Sequence, residues 1–110
     1  MSSVRILSDS LATNISLLDY LPSYCENVLD FGAGRGYLKQ SIEKKGANYF
    51  ASEVDSRCIT LLEEQDVVVK TLDEYINMGI KFDAIIVSSV LSEIINSFAT
   101  VKENLDKNNY

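Results

Sequence analysis

The sequence predicts an α/β fold in which parallel strands are covered by helices on both faces. Three observations carry this expectation. Short apolar runs, Val28-Leu29-Asp30-Phe31 and Ala84-Ile85-Ile86-Val87 among them, alternate with segments whose apolar residues recur at helical spacing. The run at 28–31 empties into Gly32-Ala33-Gly34-Arg35-Gly36, a glycine-rich strand-to-helix turn. A chain of 110 residues, 46% of them hydrophobic, suits one small domain with a modest core.

In chain order, residues before Asp9 are expected to form a loose arm or a first helical turn. Leu11, Ile15, Leu18 and Leu21 then recur at helical spacing, with Ser8, Asp9 or Ser10 as cap and Pro22 as terminator. The first strand, Val28–Phe31, is apolar enough to be buried on both faces. After the glycine turn a helix is predicted over 36–45. Tyr37, Leu38 and Ile42 form its apolar side, and Gly46 is its left-handed stop. A second strand follows over 48–53. Asp55 is placed to cap the next helix, 56–65, with Cys58, Leu61 and Leu62 toward the sheet. Val67-Val68-Val69 is a β-branched run and predicts a third strand. Asp73–Asn77 predicts a short helix, Met78-Gly79 a turn, and 81–88 a fourth strand. A last helix runs from Val90 to about Asp106, with Phe98, Val101 and Leu105 as its apolar stripe.

Composition excludes several functions. The net charge is −6 and no basic cluster is present, so nucleic acid is not an expected partner. No signal peptide and no run long enough to span a bilayer is found, so no membrane partner is expected. Cys25 and Cys58 lack metal-type spacing and read as free thiols of a cytoplasmic protein; no metal is expected. The chain has no histidine, so it supplies no imidazole base or ligand.

The chemistry-bearing stretch is Val28–Gly36. Glycine tolerates positive φ and lets a ligand approach the backbone where a Cβ would collide. Dinucleotide-binding turns use this too, but here the third glycine comes two residues after the second. Asp30 also stands two residues before the first glycine. A pyrophosphate over the loop would be repelled by that carboxylate, whereas a ligand carrying ammonium and sulfonium centres would be favoured. Glu53, about 20 residues beyond the loop at the end of the second strand, is where a βαβ nucleotide site holds ribose hydroxyls. A carboxylate accepts from both hydroxyls of a cis-diol. Ser88 and Ser89 end the fourth strand at the carboxyl edge, where ligands of open α/β sheets bind.

Val28-Leu29-Asp30-Phe31-Gly32-Ala33-Gly34-Arg35-Gly36 resembles motif I of the class I S-adenosylmethionine-dependent methyltransferases, of the type hh-D-h-G-x-G-x-G. Phe82-Asp83 resembles the start of that family's fourth strand. Val90-Leu91-Ser92-Glu93 is similar to its V-L-E-H segment, without the histidine. The resemblance implies a Rossmann-like methyltransferase fold, in part: about four parallel strands in the order 3-2-1-4, flanked by helices, in a single domain over 1–110. It implies S-adenosylmethionine as cofactor. Gly32, Gly34 and Gly36 would hold its methionine part, Asp30 its amino group, Glu53 its ribose, and Ser88 would lie beside it. An acid that commonly reads the adenine amino group is replaced by Thr71. The backbone N–H of Leu72 is left as an adenine contact, with Asp73 read as a helix start.

The resemblance further implies methyl transfer to a small-molecule acceptor. Methyl transfer demands no particular catalytic side chain. Tyr37, Ser89 and Glu93 lie near the expected cleft, and none is assigned a catalytic role. The family's sheet has seven strands, so the chain covers the first half of that fold and the fourth strand is expected to present an open edge. A fragment of a longer enzyme, a homodimer or partner chain paired at that edge, and a non-catalytic cofactor-binding or interaction module all meet that expectation. A nicotinamide-dinucleotide binder is the third reading, and Asp30 opposes it.

Overall fold

In the computed structural model, residues 4–8, 21, 23–87 and 91–108 are described. The elements are β1 (Arg5–Ser8), β2 (Asn27–Phe31), α1 (Lys39–Lys44), β3 (Asn48–Ser52), α2 (Ser56–Glu64), α3 (Leu72–Asn77), β4 (Ala84–Val87) and α4 (Leu91–Lys107). The four strands form one all-parallel sheet in the order β1-β4-β2-β3. The helix expected over 9–21 lies outside the described residues, apart from Leu21, which is buried. Among the described residues no helix is long and apolar enough to cross a membrane.

The central strands are buried on both sides, as their sequence requires. Val28 faces a core built with Leu38 and Ile42 from the α1 side and Leu62 from α2. Its neighbour Leu29 faces the opposite core, with Leu72 and Tyr75 of α3 and Val101 and Leu105 of α4. All four residues of β4 are buried. Successive strand residues point to opposite faces, so an uninterrupted apolar run is stable only between two layers of helices. Phe50, Tyr75 and Phe82 meet edge to face with centroids 5.5 Å apart. At the amino end of the sheet Asp83 Oδ2 accepts from the N–H groups of Glu26 (2.8 Å) and Asn27 (2.9 Å), which sets the start of β2 beside that of β4.

The sheet departs from the expected 3-2-1-4 order at both edges. Arg5–Ser8 is a strand, not an arm or helical turn, and it pairs with β4 from Arg5↔Ala84 to Ser8↔Val87. Val4 and Ile6 pack on the α3–α4 core and Leu7 on the opposite one. That alternation is what a strand produces: Val4 and Ile6, two residues apart, share one face, whereas on a helix they would point to opposite sides. The edge of the fourth strand that was expected to be open is filled by β1. At the other edge Val67–Val69 does not become a full strand. It makes one bridge, Ala51↔Val69, flanked by Ala51 N–H to Val68 O and Lys70 N–H to Ala51 O, both 3.2 Å. Asp66 before it has φ 61°, and Thr71 after it already caps α3, so the extended stretch has no length in which to propagate.

The helix after the glycine turn begins at Lys39 rather than Gly36. Gly36 has φ 84°, which no α-helix contains, so the chain turns until Leu38. Tyr37, expected on the apolar side, is 78% exposed for the same reason, while Leu38 and Ile42 are buried. Cys58 is half-buried and Leu62 carries the buried face of α2. The expected caps are present. Asp55 accepts from Arg57 N–H at 2.9 Å, and the amide of Gly46, at φ 87°, donates to Glu43 O.

Candidate functional site

The site lies at the carboxyl edge of the sheet, where β2 runs into the glycine loop and β3 ends beside it. The loop is tied to β3 by its backbone. Gly32 N–H and Ala33 N–H both donate to Ser52 O, at 2.8 and 3.2 Å. One residue on, Gly34 N–H donates to Glu53 Oε1 at 2.6 Å. Glu53 Oε2 accepts from its neighbours Val54 (2.9 Å) and Asp55 (3.0 Å). This carboxylate thus gathers three amides and holds the tip of the loop against the end of β3. Each carboxylate oxygen has room for two donors. Oε2 is full, and Oε1 keeps one acceptor position.

Gly32, Gly34 and Gly36 all have positive φ, at 81°, 61° and 84°. Gly34 and Gly36 nevertheless serve different ends. A Cβ built on Gly34 would meet nothing within 4 Å, so this backbone faces open space. A Cβ on Gly36 would stand 2.9 Å from Leu62 Cδ2, so this glycine exists for the packing of the loop on α2. Gln65 of the turn after α2 fastens the same contact, its Nε2 donating to Arg35 O at 3.1 Å.

Asp30, the penultimate residue of β2, is 1% exposed and is the one buried polar or charged residue among those described. Its Oδ2 accepts the hydroxyl of Tyr49 at 2.6 Å; its Oδ1 has no partner. Burial pushes the carboxyl up to about 6. The Tyr49 hydrogen bond opposes that shift and the nearby Glu53 charge adds to it. Burial, with the charge of Asp30 beside it, also pushes the Tyr49 phenol far above its ordinary range, so Tyr49 stays the donor.

Of the residues expected at the site, the fold brings together Asp30, Gly32, Gly34, Gly36 and Glu53. The Thr71 hydroxyl and N–H are both engaged in the fold. Thr71 is the N-cap of α3 in a capping box, its hydroxyl accepting from Glu74 N–H (3.1 Å) and its N–H donating to Glu74 Oε1 (2.9 Å). The Leu72 side chain is buried in the core. Ser88 and Ser89 lie outside the described residues, as does the side chain of Glu93. Among the described residues no group of three His, Cys, Asp or Glu is arranged to hold a metal ion.

Sequence reasoning missed Tyr49, which reads as an apolar strand residue. The only signal is indirect: a strand aromatic with a polar tip, one strand away from a buried acid. The register Val28↔Tyr49, which brings the two together, is a property of the folded sheet.

The architecture and this edge define an α/β domain with an all-parallel sheet, compatible with a Rossmann-like fold, whose glycine loop is bracketed by two carboxylates. The sequence matches no protein-family model and no curated protein.

Proposed function

We propose that this edge binds S-adenosylmethionine and that the chain is a methyltransferase of the class I type, or the cofactor-binding part of one, acting on a small-molecule acceptor. The observation that carries the reading is Asp30: a carboxylate sealed in the sheet with one bare oxygen is stabilised by a cation and repelled by a phosphate. Two further features support it. The Gly34 backbone faces open space, which suits close approach by the amino-acid end of a ligand. Glu53, held by three amides, keeps an acceptor position for a ribose hydroxyl.

When bound, the cofactor supplies a methyl group activated by its sulfonium. The chain's own contribution is placement: the glycine-loop backbone and Asp30 hold the amino-acid end, and Glu53 holds the sugar. Adenine is met by backbone rather than side chain around Thr71 and Leu72, since the Thr71 hydroxyl is committed to its cap. The two free thiols, Cys25 and Cys58, accord with a cytoplasmic setting.

Calorimetric titration with S-adenosylmethionine, S-adenosylhomocysteine and a nicotinamide dinucleotide tests the proposal. Saturable binding of the first two and not the third is expected. Gly34→Val, which puts a β-branched residue at φ 61°, and Glu53→Ala, which frees three amides, should each weaken binding by about tenfold or more. No binding of either adenosyl compound by the wild-type chain would overturn it.

A further inference from the structure

Asp30 sits where a carboxylate is hard to keep ionised. Its partners across the sheet are Ala51 on β3 and Ile86 on β4, neither of which offers a side-chain donor. Among the described residues, the titratable groups acting on it are the Tyr49 phenol from β3 and the Glu53 carboxylate just beyond β3. Glu43 of α1 and Tyr75 of α3 act on Tyr49 in turn. No cation is among them. The single group that favours the ionised form is the Tyr49 hydroxyl, 2.6 Å from Oδ2.

We propose that Tyr49 is a positioning residue of the cofactor site: its hydroxyl fixes one oxygen of Asp30 and thereby leaves the other as the charged anchor for the ligand's ammonium group. This rests on the S-adenosylmethionine reading above. The phenol contributes in two ways. It pins the carboxyl rotamer, because a 2.6 Å bond to one oxygen leaves the other a single direction. It also offsets part of the burial, so that Asp30 ionises near the working pH and not well above it. Ligand binding then draws the proton off Asp30 wherever the free carboxyl is still protonated, and affinity falls as the pH drops through about 6.

The test measures S-adenosylhomocysteine affinity by calorimetry from pH 5.5 to 8.5, and the Asp30 midpoint by carboxyl 13C NMR without ligand, in wild type and Tyr49→Phe. The variant keeps the ring and loses the donor. Its Asp30 midpoint should rise by about one unit, and its affinity should be about threefold weaker near pH 6.5, approach tenfold weaker by pH 5.5 and recover toward wild type by pH 8.5. A packing defect alone would weaken binding equally at every pH. Should Tyr49→Phe fail to fold, 3,5-difluorotyrosine placed at position 49 is the second variant; its stronger donor should shift both midpoints downward. Parallel pH profiles, or an unmoved Asp30 midpoint, overturn the role of Tyr49 while leaving the cofactor reading intact. Absence of binding by the wild type at every pH overturns both.

Discussion

Gly36→Ala should destabilise the protein far more than Gly34→Ala, although the two glycines sit in one loop and share positive φ. Both substitutions meet the left-handed penalty of about 1–2 kcal/mol for a residue with a Cβ. At Gly34 the new methyl enters open space and the penalty ends there. At Gly36 it lands 2.9 Å from Leu62 Cδ2, and Leu62 is fully buried in the α1–α2 core, so it has no free direction to yield. Overpacking of this kind adds about 1–3 kcal/mol. The total for Gly36→Ala is therefore roughly 2–5 kcal/mol, a large share of the ~5–15 kcal/mol available to a small domain. At ~4–8 °C per kcal/mol the melting temperature should drop by at least roughly 8 °C, and by up to about 40 °C. The chain has no tryptophan, so urea unfolding is best followed by far-ultraviolet circular dichroism. Gly36→Ala and Leu62→Ala together should cost less than the sum of the two alone, with a coupling of about 1 kcal/mol or more. Equal destabilisation by the two glycine substitutions, or strict additivity with Leu62→Ala, would refute the assigned contact.

Two further outcomes are expected. Tyr75→Phe keeps the aromatic cluster but removes the hydroxyl that donates to Ala51 O (2.6 Å) and Val68 O (2.7 Å). Both carbonyls retain an amide donor, so the loss should be about 1–2 kcal/mol, with faster hydrogen exchange at Ala51 and Lys70; unchanged exchange there would count against the tie. The second concerns pH. Because the folded pKa of Asp30 is raised from 3.8 to about 6, the native state binds its proton more tightly than the unfolded chain. Its stabilising contribution is complete below about pH 4 and is lost as the pH rises through about 6, on the order of 3 kcal/mol in all. The difference in unfolding free energy between wild type and Asp30→Asn, measured from pH 3.5 to 7.5, should fall across that window; a flat difference would contradict the burial of an ionisable Asp30.

The middle of the sheet was legible because its sequence signals are local. The β2 run, its glycine turn, the Asp55 cap and the Gly46 stop each state their structure within a few residues. The edges were not legible, since β1 is defined by a partner far along the chain. Arg5-Ile6-Leu7-Ser8 is a short run of modest apolar character, and the Ser8-Asp9-Ser10 at its end suits a helix cap as well as a strand end. Val67–Val69 shows the converse: β-branched residues favour extension, but Asp66 at positive φ and the Thr71 cap leave no room for a ladder. Gly32, Gly34, Gly36, Asp30 and Glu53 converge at one edge as the motif and the strand-end spacing implied. The capping role of Thr71 went unread, although a hydroxyl at the start of a helix is claimed first by the helix. The Tyr49 contact with Asp30 depends on a register that no single stretch encodes.

The pairing of β1 with β4 bears on how the molecule is made. During translation Arg5–Ser8 leaves the ribosome long before Ala84–Val87, and so must wait while β2 and β3 find each other. Joining β1 to the sheet closes the stretch between Ser8 and Ala84 into a long loop, the slowest kind of contact to form. A nascent chain halted before Ala84 would hold Ile6 and Leu7 out in water as bait for chaperones.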